Sequence, residues 1–192
     1  MQYLKDLIKV KKFILLALII ITSFITCSAL EKPRWTSMPI YVYIPKNSDM
    51  SVMMEQAFNA WQTKSNDLIR FKFINRPVYA NIEVEFTDFV SGCNDINSVG
   101  CTELATRGGQ YYKAYVTIGT KEYQRTMEGS RYSRKIVTRS REHIYGVMLH
   151  EIGHAIGLGH SKSPGSIMYP YDLDTMQYLT EDDLKLLYSK YH

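Results

Sequence analysis

The run His150-Glu151-Ile152-Gly153-His154-Ala155-Ile156-Gly157-Leu158-Gly159-His160 constrains this chain more than any other stretch of it. On a helix, residues four apart lie on one face one turn from each other, so His150 and His154 can present two imidazole nitrogens to one ion. Glu151 then sits beside that ion rather than under it. A continued helix would rotate residue 160 by about 240 degrees from His154 and point it away. The helix must therefore break. Gly157, free to take positive backbone angles, allows the break, and Gly159 loosens the return. Three neutral imidazoles on one divalent ion, with a fourth position left for water, describe a catalytic site; four protein ligands would close a structural one. At average residue frequencies the full string arises by chance in roughly one chain in a hundred thousand, so buried core histidines do not explain the set.

The surrounding pattern is that of one mixed domain. Ile40 to Ile44 reads as a buried strand, and Ser51 to Gln62 as a helix with Met54, Phe58 and Trp61 on one face. Ile69 to Ile74 and Asn81 to Phe86 alternate apolar with charged residues as half-buried strands do. Cys101 to Arg107, a turn at Gly108 and Gly109, and Tyr111 to Ile118 form a hairpin. The motif helix should run from a cap at Ser140 to Ile156, with Ile144, Met148, Ile152 and Ala155 as a core stripe and His143, Val147, His150 and His154 on the metal side. His143 lies roughly 10 Å along the axis from His150, too far to share its ion. Thr180 and Asp183 open a last helix with a capping box, carrying Leu184, Leu187 and Tyr191 inward. Lys121 to Arg141, with seven basic and two acidic residues, is expected to be a solvated loop.

Residues 1–29 read as an export signal: Lys5, Lys9, Lys11 and Lys12, the apolar run Phe13 to Ile25, then Cys27, Ser28 and Ala29 before a cut. The apolar run is short for a bilayer span, which needs about 20 residues; a retained membrane or lipid anchor is the other reading. Cleavage would remove four lysines and Asp6 and lower the net charge from +4 to about +1, which gives no case for nucleic-acid binding. Residues 30–192 would be the mature domain. Its two cysteines, Cys93 and Cys101, favour a disulfide in an exported protein.

With Met168 eight residues after His160, the chain resembles the metzincin zinc peptidases, and among them the matrixins, most closely the minimal bacterial-type members that consist of little but a catalytic domain. Ser161 directly after the third histidine, and Tyr169 with Pro170 after the methionine, favour that branch. The similarity runs from Arg34 and Trp35 to Tyr188 and is strongest over residues 147 to 170. It implies an α+β fold: a twisted five-stranded mixed sheet with one antiparallel edge strand, an active-site helix, a second packing helix and a C-terminal helix. The edge strand would be Cys101 to Arg107, whose unpaired backbone can take on an extended peptide or protein substrate. The resemblance further implies one catalytic Zn2+ on His150, His154 and His160, with Glu151 as general base toward a zinc-activated water in a secreted endopeptidase. Met168 would lie as a floor below the ion without binding it. Gly146, Tyr169 and Pro170 would border the apolar pocket for the residue after the cut bond.

The family pattern is incomplete here. Between Phe86 and Glu142 there is no histidine, so the second, structural zinc of larger matrixins is not expected. Ca2+ sites do not map: Asp172, Asp174, Asp182 and Asp183 are oxygen donors, but the last two are explained by capping and the helix dipole. Leu30 to Trp35 holds no counterpart of the inhibitory cysteine. A monomer is expected, meeting a membrane only if the N-terminal segment is retained. The alternative is an exported zinc-binding module used for binding or adhesion without catalysis, against which the intact Glu151 argues.

Overall fold

The structure is a computed structural model that describes residues 32–46, 48–91, 98–128, 131–171 and 178–192. Its residues Pro33–His192 form one compact unit. Strands β1 (Ile40–Tyr43), β2 (Phe71–Ile74), β3 (Ile82–Thr87), β4 (Gly100–Arg107) and β5 (Gln110–Gly119) make a single sheet in the order β2-β1-β3-β5-β4. All neighbours are parallel except β4 with β5. The expected mixed sheet with one antiparallel strand at its edge is therefore present, and β4 is that edge.

Alternation explains which face is covered. Ile40 and Val42, Ile82 and Val84, and Ala114, Val116 and Ile118 all point into one core, while Tyr41, Glu85 and Tyr115 point out. The core is closed by α1 (Ser48–Lys64), α2 (Arg141–Ala155) and α3 (Glu181–Tyr191). Helix α1 extends beyond the predicted Ser51 to Gln62 and buries Met54, Phe58 and Trp61 along one face, as the spacing predicts. Asn66 and Asp67 then take left-handed backbone angles, φ 52° and 59°, which turn the chain out of the helix toward β2.

One expectation needs correction. Lys121 to Arg141 is not a loop: β6 (Lys121–Glu128) and β7 (Arg131–Thr138) pair over eight residues as a separate antiparallel ribbon. No buried face produced an alternation of apolar and polar residues there, so the pattern carried no strand signal. The motif helix carries the expected stripe, with Ile144, Met148, Ile152 and Ala155 fully buried, and ten of its fifteen residues, Val147 and His150 among them, are buried. Among the described residues no helix is long and apolar enough to cross a membrane.

Candidate metal centre and active site

Helix α2 starts where Ser140 caps it, the side-chain oxygen accepting from the His143 N–H at 3.1 Å. It stops at Gly157, whose φ of +88° is open to glycine at little cost. The Gly157 N–H donates to His154 O at 2.7 Å and the Leu158 N–H to Gly153 O at 2.9 Å, a Schellman closure that reverses the chain. That reversal brings His160 back over the helix. The predicted break is thus present at the predicted residue.

The three rings converge. Their centroids are 4.6 Å (His150–His154), 4.8 Å (His154–His160) and 5.3 Å (His150–His160) apart, and one nitrogen from each lies within 4.8 Å of the others. Nε2 of His154 and Nε2 of His160 are separated by 3.2 Å. Two nitrogens bound tetrahedrally to zinc at about 2.05 Å would stand about 3.3 Å apart, so the spacing fits that ion. The far side of two rings is also fixed: His150 Nδ1 lies 2.7 Å from Ile167 O, and His154 Nδ1 lies 2.9 Å from Leu158 O. A carbonyl accepts only, so each Nδ1 carries the proton and each Nε2 keeps its lone pair for a metal. Burial pushes the His150 pKa down to about 4, helped by the neighbouring His154 and opposed by the bond to Ile167; burial also lowers that of His154. Neutral imidazoles, the ligand form, are what this pocket favours.

The segment around Met168 is braced from far along the chain. Met168 is fully buried, and a side chain on Gly153 would overlap its sulfur and press on Trp61. Gly153 therefore makes room for the methionine. Asp183, buried in the first turn of α3, accepts from Ser166 Oγ, from the Ile167 N–H at 3.2 Å and from the Met168 N–H at 3.4 Å, besides closing its own capping box with Thr180. Capping accounts for only part of this residue. Its remaining bonds fix the segment whose Ile167 carbonyl orients His150, and no spacing rule in the sequence marks that role. The indoles of Trp35 and Trp61 donate to Ala155 O at 2.8 Å and Leu149 O at 2.9 Å, and Tyr191 OH donates to Ile156 O at 2.9 Å, which ties down the histidine-bearing end of α2.

Glu151 is 5% exposed and faces the edge strand. Thr102 Oγ1 lies 2.7 Å from its Oε2 and 3.0 Å from its backbone O. A Cβ on Gly100 would come within 2.6 Å of the carboxylate, so the strand approaches this closely only because residue 100 is glycine. Burial raises the Glu151 pKa to about 7, and the hydroxyl of Thr102 works against that rise. Such a carboxyl can both take and give a proton near neutrality. Thr102 and Gly100 were not among the sequence candidates, because a contact spanning 49 residues follows from packing and leaves no local pattern.

The other candidates are placed less tightly. Gly146 is buried within α2, Tyr169 is half-buried with its ring edge-on to Tyr171, and Pro170 is exposed. Cys101 is buried at the start of β4, while Cys93 lies outside the described residues, as do residues 1–29, Asp172 and Asp174.

Comparison with known proteins agrees with this geometry. The chain is 26% identical to macrophage metalloelastase of Rattus norvegicus over 163 residues, which covers 80% of this chain and 30% of the relative. It is 45% identical to matrix metalloproteinase-25 of Homo sapiens over 56 residues, 24% of this chain and 10% of that protein. The chain thus spans less than a third of the length of either. A peptidase family model described as matrixin matches residues 37–192, which includes every element from β1 to α3, and the chain belongs to the matrixin family.

Proposed function

We propose that this chain is an exported zinc-dependent endopeptidase. The observation that carries the reading is the convergence of three imidazoles beside a buried carboxyl on a sheet edge. Zinc, when bound, supplies a Lewis acid for the scissile carbonyl and makes water more acidic. Glu151 takes the proton of the attacking water and hands it to the departing amine. Thr102 holds the carboxyl against β4 while this happens. An extended peptide adds alongside β4 as a further strand, so that its backbone supplies the binding and its side chains the selectivity. Gly146, Tyr169 and Pro170 border the pocket for the residue that follows the cut bond.

Residues 1–29 direct export and residues 30–192 are the catalytic domain. Cys93 and Cys101 close a disulfide at the entry to β4, as the even cysteine count of an exported domain favours. The product acts outside the cytoplasm, on protein or peptide substrates. Glu151→Ala tests the reading. It should keep one zinc per chain and lose at least about 10²-fold in hydrolysis of a peptide library, the scale of a general base. Unchanged cleavage by that variant would remove Glu151 from the chemistry.

A further inference from the structure

We propose that the β6–β7 ribbon is a docking arm that seats the face bearing Arg125, Met127, Tyr132 and Arg134 on an anionic lipid surface. The ribbon joins the rest of the molecule at its base, where Lys121 meets Asp88, Tyr123 stacks on Phe89 at 4.8 Å, and Arg139, just beyond β7, bonds Glu122. Beyond the base neither face is covered by other described residues, and an isolated two-stranded ribbon in water is marginally stable at best.

Its pairing sorts the side chains. Residues directly opposite in an antiparallel ladder share a face, so Tyr123 with Ile136, Arg125 with Arg134, and Met127 with Tyr132 form three successive pairs on one side. All six are exposed, Met127 and Tyr132 to 65% and 74%. The two arginines face each other a few ångströms apart, an arrangement that costs stability when nothing neutralises it. Among the described residues neither has a carboxylate partner. Beside them a shallow depression of about 270 Å³ is lined by Arg125, Tyr132, Ser133 and Arg134, a seat of the right chemistry for a phosphate-bearing headgroup.

Position along the ribbon favours a lipid surface. On this face the outermost pair, Met127 with Tyr132, is apolar and amphipathic, and the arginine pair sits one step behind it, about 7 Å toward the base. Met127 and the ring of Tyr132 would enter the headgroup boundary while the guanidinium groups stay level with the phosphates. A sulfated polysaccharide or nucleic acid would neutralise the arginines and leave Met127 in water. The contact is peripheral and independent of the peptidase reading.

Vesicle flotation tests it, using the full chain with vesicles of phosphatidylcholine alone or with 30% phosphatidylglycerol added. The apolar and basic N-terminal segment is common to all variants, so the ribbon is read from their differences. Wild type should prefer the anionic vesicles. Arg125→Gln/Arg134→Gln should weaken that binding about 25-fold, since each basic side chain at an anionic surface contributes about fivefold. Met127→Ser/Tyr132→Ser should weaken it by a similar factor, and a thermal melt for each variant checks folding. Binding by both variants at the wild-type level would overturn the proposal. So would loss with the arginine variant alone, which would indicate a purely ionic site for polyanions or acidic proteins.

Discussion

The metal centre and the β6–β7 ribbon differ in how many distant residues each depends on. His150 is oriented by Ile167, Ile167 is held by Asp183, and the helix end beneath is tied by Trp35, Trp61 and Tyr191, so elements from the whole chain meet at three rings. The ribbon is local: its hydrogen bonds run between β6 and β7, and its described contacts with the sheet lie at its base. A site that must keep three imidazoles registered to a fraction of an ångström needs that external bracing. A surface that meets a fluid partner does not.

Substitutions can break or sharpen this contrast. The largest effect should come from Asp183→Ala, which strips an acceptor from Ser166, Ile167 and Thr180 and leaves the Met168 N–H with Ser166 Oγ alone. About 3–5 kcal/mol of stability should be lost in a denaturant melt, since several buried donors lose an acceptor at about 1–3 kcal/mol each, and zinc affinity should fall 10- to 100-fold by equilibrium titration. A loss confined to stability, with zinc affinity intact, would separate the brace from the metal site.

Acid should come next. The folded pKa of His150, about 4, lies below its unfolded value of 6.5, so the unfolded chain binds its proton first. Stability of the zinc-free protein should therefore fall as pH drops from about 6.5 toward 4 and level off below, by about 3 kcal/mol from this group. Glu151 acts in the opposite direction: its pKa is raised from 4.5 to about 7, which favours the fold below 4.5 and loses that contribution as pH rises through 7. Melts of Glu151→Gln against wild type between pH 4 and 8 should isolate that slope.

Thr102→Val should cost less in stability than in turnover. Removing the hydroxyl beside Glu151 should lower kcat about tenfold with KM and zinc content little changed, and Thr102→Ser should restore it. Smallest of all, Arg125→Thr in the ribbon should move stability by no more than about 0.5 kcal/mol, and toward greater stability, because it relieves the opposed arginines. A loss from Arg125→Thr as large as that from Asp183→Ala would erase the contrast.

Legibility in the sequence follows the same division. The histidine spacing and Gly157 pointed to the convergence of three rings and to the helix break, because both are consequences of helix geometry over a few residues. The five-stranded sheet was readable because Ile40, Val42, Ile82, Val84, Val116 and Ile118 have a core to alternate against. The ribbon was not, because Tyr123, Arg125 and Met127 share a face that no core sorts. Thr102 against Glu151, Gly153 beneath Met168 and the second role of Asp183 depend on which distant segments touch, and one-dimensional pattern does not carry that information.

The most direct test is metal stoichiometry across the ligand set. Element analysis of dialysed protein should find one zinc per chain in wild type and in Glu151→Ala, and none retained in His154→Ala or His160→Ala. Zinc-free wild type, or a histidine variant that keeps its zinc, would contradict the account.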